Sequence, residues 1–194
     1  KVLAEKGISR EKVTHVMPTH VHLDHAGGAG ALMQEFPNAV LVVHPRGARH
    51  MIDPTKLISG TVAVYGEEKT QKLYGTIVPV PEERVLIAED ESRIDFHGRS
   101  LLFLDAPGHA RHHYCVIDES TNSVFSGDNF GISYREFDNE NGAFIFPTTT
   151  PVQFDPEAMR KTLDRLLSYN PQAVYLTHFG RVTNVEKLGS DLRN

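Results

Sequence analysis

The chain has 194 residues, of which 40% are hydrophobic and 23% are charged, and its formal net charge is −5 at pH 7. These values are typical of a globular protein with one domain. The absence of a basic cluster argues against a nucleic-acid partner, and the absence of an apolar run of 18 residues argues against a membrane span.

The first half of the chain is predicted to alternate helices with two short strands. The segments are a helix-like start at 2–7, a strand at 13–17, a helix at 26–36, a strand at 39–43 and a mostly helical region at 45–75. Asp24 near its start and Pro37-Asn38 after its end favour the bounds of the second helix. Asp53-Pro54 and Ser59-Gly60 are expected to interrupt the helical region.

The second half is predicted to be richer in strands. The segments are strands at 84–88, 100–104, 114–118 and 123–125, a helix from Asp155-Pro156 to 169 and a strand at 173–176. The stretch 127–151 has no clear periodicity, and loops of that length are usually functional or disordered. The mixture of helices and strands predicts a layered α/β or α+β architecture.

The single cysteine, Cys115, cannot form a disulfide within the chain. It lies in an apolar stretch, so we expect a small core residue in a protein of the reducing cytoplasm. The chain begins at Lys1, directly in a helix-like segment. We therefore expect the sequence to be N-terminally incomplete, either because a leader was removed or because it is a piece of a longer protein, so the absence of a signal peptide is uninformative.

The segment Thr19 to His25 has the pattern H-x-H-x-D-H, with three histidines and one aspartate in six positions. In an extended segment residues i and i+2 point the same way, so His20 and His22 can reach one ion. A tighter backbone at the following helix start would turn Asp24 and His25 towards a neighbouring position. Zinc binds His nitrogen and Asp oxygen, usually with four ligands, so each site needs further ligands from elsewhere.

Three further potential ligands follow predicted strands. They are His109 after strand 100–104, Asp128 after strand 123–125 and His178 after strand 173–176. Folds of the α/β class collect their sites beyond the carboxyl ends of strands. Together with the segment 19–25, these positions indicate one metal centre.

The pattern H-x-H-x-D-H, followed by P-G-H, G-D and a late T-H, resembles the metallo-β-lactamase superfamily, particularly its glyoxalase II-like hydrolases. The resemblance covers residues from about 13 to 180. It implies an αββα four-layer sandwich with metal ions in a cleft at one edge of two sheets. The family's first strands normally precede the histidine motif and are missing here, so we expect one domain over 1–194 that lacks its N-terminal strands.

The resemblance also implies two divalent metal ions, most simply zinc, with iron or manganese as alternatives. Carried over residue by residue, the first ion would be held by His20, His22 and His109, the second by Asp24, His25 and His178, and both by Asp128. Thr19 flanks the first ligand, and His113 matches a histidine of the family. Both are expected to support the ligands through hydrogen bonds.

Substrate recognition is expected in the stretch 129–150, which follows Asp128 directly. Tyr134 and Arg135 are the side chains expected to bind a small-molecule substrate there. The alternative is that the aromatic residues of this stretch pack as a lid or form a homodimer contact.

The function implied by the resemblance is hydrolysis of a small-molecule thioester, ester or lactone by a hydroxide held on the two metals. Metal binding lowers the pKa of water to about 7, and Asp24 would carry the proton. The alternative is a persulfide dioxygenase-like oxidoreductase with one iron on His20, His109 and Asp128, a set that fits the two-His-one-carboxylate pattern. A phosphodiesterase and a non-catalytic metal-binding domain also stay open.

Overall fold

Helices alternate with short strands throughout the structure, a computed structural model that describes residues 2–140 and 142–193. This confirms the predicted mixed class. The chain divides into two units, Lys1–Ala88 and Glu89–Asn194. Within the described ranges no helix has both the length and the apolar character needed to cross a membrane.

The first unit contains a parallel sheet and six helices among its described residues. The helices are α1 (Val2–Glu5), α2 (Leu23–Ala26), α3 (Ala29–Glu35), α4 (Pro45–Ile52), α5 (Thr55–Tyr65) and α6 (Glu67–Tyr74), and the strands are β1 (His15–Val16), β2 (Val40–Val43) and β3 (Val85–Ile87). The sheet order is β1-β2-β3, with Val16 opposite Leu41 and Leu41 opposite Val85. β2 is central and nearly all buried, because helices cover parallel strands.

Arg84 connects α3 to β2 in the first unit. Its guanidinium donates to the carbonyl oxygens of Met33 at 2.7 Å, Phe36 at 2.6 Å and Ala39 at 2.7 Å. The last carbonyls of a helix have no partner within the helix, so this side chain satisfies groups that the helix leaves open. The loop that leads into β2 is thereby fixed.

Two helix predictions for the first unit need correction. The helix predicted at 26–36 is divided into α2 and α3, because Gly27 and Gly28 weaken the helix between them. The interruption predicted at Ser59-Gly60 is wrong, since α5 runs through it to Tyr65. The chain breaks instead at Gly66, whose φ of 80° is readily adopted only by glycine, and the break at Asp53-Pro54 is confirmed.

The second unit is built on a larger sheet. Its strands are β4 (Arg93–Phe96), β5 (Arg99–Asp105), β6 (Tyr114–Asp118), β7 (Ser123–Gly127), β8 (Ala173–Leu176) and β9 (Arg181–Val182), and its α-helices are α7 (Pro156–Ser168) and α8 (Val185–Arg193). Neighbouring strands are antiparallel except β7 and β8, which are parallel. β5, β7 and β8 therefore run in the same direction, and their carboxyl ends lie at the same edge of the sheet.

The core of the second unit lies between this sheet and helices α7 and α8. Buried side chains that contact one another include Leu104, Val124, Val174, Leu163 and Leu188. Cys115 belongs to the same cluster and is fully buried, as predicted. The packing holds the strand ends in fixed positions.

Three elements of the second unit were not predicted. β4 pairs with β5 through His97-Gly98, whose positive φ values of 53° and 82° are typical of a tight hairpin turn. β9 has two residues and no periodicity to detect. α8 buries Val185, Leu188 and Leu192, at the i, i+3, i+7 spacing that could have revealed it.

The stretch after β7 is irregular, as predicted, but it folds back on itself. Ile132 and Phe146 exchange two backbone hydrogen bonds of 3.0 and 3.1 Å. The rings of Tyr134, Phe137, Phe144 and Phe146 pack in a chain with centroid distances of 5.2 to 6.1 Å. The aromatic residues therefore contact one another within this stretch.

Candidate functional site

The first candidate cluster lies where the loop after β1 enters α2. His22 has φ −62° and ψ 146° and precedes the first helical residue. His20 lies in a bend and His22 directly precedes the helix, whereas Asp24 and His25 lie in the first turn of α2. The helical backbone predicted at Asp24 and His25 is confirmed, whereas the backbone at His20 bends instead of staying extended.

The four side chains of this cluster lie close together. Nε2 of His20 is 3.0 Å from Nδ1 of His22, and the rings of His20 and His25 have centroids 4.0 Å apart. Nε2 of His25 is 3.3 Å from Oδ2 of Asp24. The side chain of Asp24 is 50% exposed and that of His25 only 4%. Thr19 places Oγ1 3.2 Å from Nδ1 of His20, and its supporting role stays a prediction.

Tyr74, at the end of α6, is close enough to this cluster for the charge of Asp24 to affect its pKa. Burial raises the pKa of the Tyr74 phenol, and the negative charge of Asp24 raises it further. No sequence signal links these two residues, which lie 50 positions apart and meet only through the packing of the first unit.

The second candidate cluster lies at the edge where β5, β7 and β8 end. Asp128 follows β7 directly, His178 follows β8 by two residues and His109 follows β5 by four. Because these strands run in the same direction, the strand-end positions predicted from sequence come together. Oδ2 of Asp128 is 3.5 Å from Nε2 of His109 and 3.7 Å from Nε2 of His178.

The burial of this cluster is uneven. The side chains of Asp128 and His109 are 6% and 4% exposed, whereas that of His178 is 41% exposed. A buried carboxylate is costly unless charges or hydrogen bonds compensate it. Two imidazole nitrogens face the same carboxylate oxygen, an arrangement that a divalent cation would stabilise.

Thr148 determines the proton position on His109. The Thr148 hydroxyl donates its only proton to the carbonyl oxygen of Asp128 at 2.9 Å. It must therefore accept from Nδ1–H of His109, which is 2.8 Å away. In the neutral imidazole Nε2 then carries no proton, which is the tautomer that binds a metal through Nε2. The sequence contained no local signal for this role of Thr148.

His113 and Asn129 form hydrogen bonds around the predicted ligands His109 and Asp128. The N–H of Asp128 donates to Nε2 of His113 at 3.2 Å, and His113 is completely buried. Oδ1 of Asn129 accepts from the backbone N–H of His109 at 3.1 Å, and its Nδ2 lies 2.8 Å from Nδ1 of His113. Asn129 was not predicted, although a fully buried amide beside Asp128 suits this role.

The two residues expected to bind substrate lie on the surface of the second unit. Tyr134 and Arg135 are exposed and line a cleft that His178 also lines. The structure thus places them beside one of the predicted ligands of this unit.

In the second cluster, each histidine nitrogen and the Asp128 carboxylate oxygen are spaced like two ligands of one metal ion. Two atoms that each lie 2.0–2.2 Å from one tetrahedral ion are about 3.3–3.6 Å apart. The observed separations of 3.5 and 3.7 Å around Oδ2 of Asp128 are close to that range. In the first cluster, the 3.0 Å between the His20 and His22 nitrogens also suits an N–H···N hydrogen bond between the rings. The three donor atoms of the second cluster do not all lie within 4.8 Å of one another, so these pairs do not by themselves form a three-ligand site for one ion.

Known proteins are similar in sequence to this chain over most of its length. The metallo-beta-lactamase fold-containing protein ST1585 of Sulfurisphaera tokodaii is 28% identical over 182 residues, which are 89% of this chain and 63% of that protein. An atrochrysone carboxyl ACP thioesterase of Pseudocercospora fijiensis is 28% identical over 129 residues, which are 66% of this chain and 28% of that protein. The chain thus spans less than two thirds of the length of either relative.

Solved structures share the fold. The crystal structure of ST1585 from Sulfolobus tokodaii, an archaeal metallo-beta-lactamase superfamily protein, matches with a TM-score of 0.77 at 25% identity. The match covers 93% of this chain and 66% of that one. A di-iron-bound form of TTHA1623 matches in fold with a TM-score of 0.66 at 23% identity, over 96% of this chain and 79% of that one.

The family model described as the metallo-beta-lactamase superfamily matches residues 1–178, which are most of the chain. The match includes both candidate clusters and the strands that position them. The predicted fold is confirmed, and this chain belongs to the metallo-β-lactamase superfamily.

Proposed function

We propose that this chain is the catalytic part of a metal-dependent hydrolase that cleaves a small-molecule thioester, ester or lactone. One observation carries the proposal: the buried Asp128 carboxylate faces the Nε2 atoms of His109 and His178 at 3.5 and 3.7 Å. Membership of the superfamily and a relative that is a thioesterase support the hydrolytic chemistry.

The proposed ligands are the seven residues predicted from the sequence. The first cluster supplies His20, His22, Asp24 and His25, and the second supplies His109, Asp128 and His178. Zinc is the proposed metal, with iron or manganese as alternatives, because imidazole and carboxylate ligands suit all three. Bound divalent ions would supply a water activated at neutral pH and would polarise the substrate carbonyl.

Other residues of the chain orient the proposed ligands and transfer the proton. Thr148 holds the proton of a neutral His109 on Nδ1, which leaves Nε2 for the proposed metal, and His113 fixes the backbone at Asp128. Asp24 is proposed to carry the proton, because its half-exposed carboxylate can exchange protons with solvent. Hydrolysis of a thioester breaks the acyl carbon–sulfur bond, adds the hydroxyl of water to the acyl carbon and gives the remaining proton to the departing thiolate.

Metal analysis and an activity panel test the proposal. The protein is purified without added metal, its metals are counted by mass spectrometry, and it is assayed on thioesters, lactones and phosphodiesters. We expect two zinc ions per chain and hydrolysis of thioesters or lactones that chelation abolishes and zinc restores. One iron per chain, with oxygen consumption on a persulfide and no hydrolysis, would instead establish the dioxygenase alternative.

The remaining predictions about the whole protein stay predictions. They are the single domain over 1–194, the missing N-terminal strands, a small-molecule partner without nucleic acid, a homodimer contact and a cytoplasmic location.

A further inference from the structure

The second unit contains an open cleft beside His178 with a volume of about 580 Å³. Residues 133–136 form one side, and His178, Phe179 and Arg181 form the other. The cleft is large enough for part of a small-molecule substrate. Its lining is more polar than that of a typical apolar pocket, so charge decides what it can bind.

Two arginines line the cleft. They are Arg135 and Arg181, and the cleft carries one acidic residue, Glu136, whereas the chain has a formal net charge of −5. Within 2–140 and 142–193, Arg181 forms no ion pair and no side-chain hydrogen bond. Arg135 forms an ion pair with Asp138, with 3.5 Å between Nη1 and Oδ2. Glu136 and Asp138 together balance the two arginines in number, so an anion site here rests on the guanidinium of Arg181, which the described residues leave available.

Neighbouring residues restrict the side chain of Arg135 and the backbone of Arg181. The guanidinium of Arg135 lies over the Phe179 ring, 4.7 Å from its centroid, a cation–π contact that limits the orientations of the side chain. Arg181 belongs to β9 and pairs with Tyr175 of β8, so the sheet fixes its backbone. The guanidinium of an arginine can donate two parallel hydrogen bonds to a carboxylate or phosphate.

We propose that Arg181, assisted by Arg135, binds an anionic group of the substrate, either a carboxylate or a phosphate. This inference rests on the proposed hydrolase function, since His178 is both a proposed metal ligand and part of the cleft lining. The anionic group occupies the cleft, and the bond to be cleaved lies towards His178. The substrate is thus a thioester, ester or lactone with a negatively charged portion.

Direct binding tests the anion site without any activity. Phenyl phosphate, benzoate and neutral benzyl alcohol are titrated into the protein at low salt, because salt screens exposed charges. We expect one or both anions to bind and the alcohol not to bind. Arg181→Gln should weaken anion binding about 10- to 100-fold, the usual effect of losing a charge-assisted hydrogen bond. Arg135→Gln should have a smaller effect, because Asp138 already shares its charge.

A matched control comes from α7. Arg160 is exposed and pairs with Glu157 at 2.7 Å, outside the cleft. Arg160→Gln removes the same charge and should leave anion binding unchanged. Equal weakening by Arg160→Gln and Arg181→Gln would show a nonspecific charge effect and would overturn the proposal, as would unchanged binding in Arg181→Gln.

Kinetics then separate the two sources of the anion. Thioesters with one acyl group and a neutral, a carboxylate-bearing or a phosphate-bearing thiol are compared by kcat/KM. We expect one anionic thioester to be preferred over the neutral one, and Arg181→Gln to abolish that preference while hydrolysis of the neutral thioester continues. A preference that survives in Arg181→Gln overturns the inference and leaves the hydrolase intact. No hydrolysis of any thioester or lactone, with anion binding that still depends on Arg181, refutes the hydrolase and supports the anion site.

Discussion

The imidazole of His109 and the hydroxyl of Thr148 lie 2.8 Å apart, although 39 positions separate them in the chain. The Thr148 hydroxyl donates to the carbonyl of Asp128, so it connects two proposed ligands. Because the hydroxyl has one proton, the direction of both hydrogen bonds is determined. The uncharged side chain of Thr148 thus orients His109 and forms a hydrogen bond with the backbone of Asp128.

Replacing Thr148 by valine is expected to weaken metal binding about 10- to 100-fold, as is usual when a partner that orients a ligand is lost. Valine keeps the shape but offers His109 no acceptor, and the backbone oxygen of Thr148, 3.2 Å from Nδ1, would compensate in part. Zinc affinity is measured in competition with a chromogenic chelator. Thr148→Ser is the control and should bind zinc like the wild type. Equal affinity of the valine variant would show that Thr148 has no orienting role.

Replacing Asp128 by asparagine is expected to remove bound metal and hydrolysis together. Asparagine keeps the size of the side chain but loses the negative charge that faces His109 and His178. Metal per chain and kcat are measured on the same preparations. Asp164→Asn, on the exposed surface of α7 where Asp164 pairs with Arg193, is the control and should match the wild type. An Asp128→Asn protein with full metal content and full activity would remove Asp128 from the ligand set.

The parts of the site that sequence predicts are those governed by local or strand-level rules. The closeness of His20 and His22 follows from their separation by one residue, and the grouping of His109, Asp128 and His178 follows from strands that run in the same direction. Both rules need only neighbouring residues and the order of elements. These positions could therefore be assigned without a structure.

The parts that sequence did not predict depend on the path of irregular backbone. Thr148 reaches His109 only because the stretch after β7 folds back through the Ile132–Phe146 bridge. Nothing in the residue types of that stretch specifies the pairing. Helix ends are equally hard to predict from residue type. Gly60 and Gly66 are both glycines, yet α5 continues through Gly60 and ends before Gly66.

The stability of the second unit is expected to depend on pH through Asp118, a buried carboxylate at the end of β6. Burial alone would raise its pKa, but hydrogen bonds from Arg99, Thr121 and the N–H of Ser120 lower it overall. A pKa below the unfolded value of about 3.9 means that Asp118 stabilises the fold above that pH. This contribution is lost as the pH falls through the folded pKa.

Urea unfolding of the wild type and Asp118→Asn between pH 7 and pH 3 measures this effect. The variant should be less stable by about 1–3 kcal/mol at pH 7, the usual value of hydrogen bonds to a charged group. The difference should shrink below about pH 4, where the unfolded chain begins to bind a proton at Asp118 while the folded carboxylate is still charged, and it should be lost once the pH falls below the folded pKa. Arg99→Gln should reduce the same pH dependence, because it removes one of the groups that lower the pKa. A difference that stays constant over the whole range would exclude a role for the carboxylate charge.

Alanine at two glycines is expected to have opposite effects on stability. Gly60 lies inside α5, and a Cβ there would meet no atom within 4 Å. Gly60→Ala should therefore stabilise the protein by about 0.5–1 kcal/mol, since alanine restricts the unfolded chain more than glycine does. Gly108 has a φ of 138°, and its Cβ would lie 2.5 Å from Cα of Met159.

Gly108→Ala should destabilise the protein by more than about 2 kcal/mol, because both the backbone conformation and the close approach of α7 exclude a side chain. Since Gly108 directly precedes His109, any shift of the backbone that relieves the contact also moves a proposed ligand. Urea unfolding of metal-free protein measures the stability, and a zinc titration of the folded fraction measures the effect on the ligand. A stable Gly108→Ala protein with weakened zinc binding would mean that the loop before His109 yields while α7 stays in place. Unchanged stability and unchanged zinc affinity would show that the close packing of Gly108 on Met159 is not required.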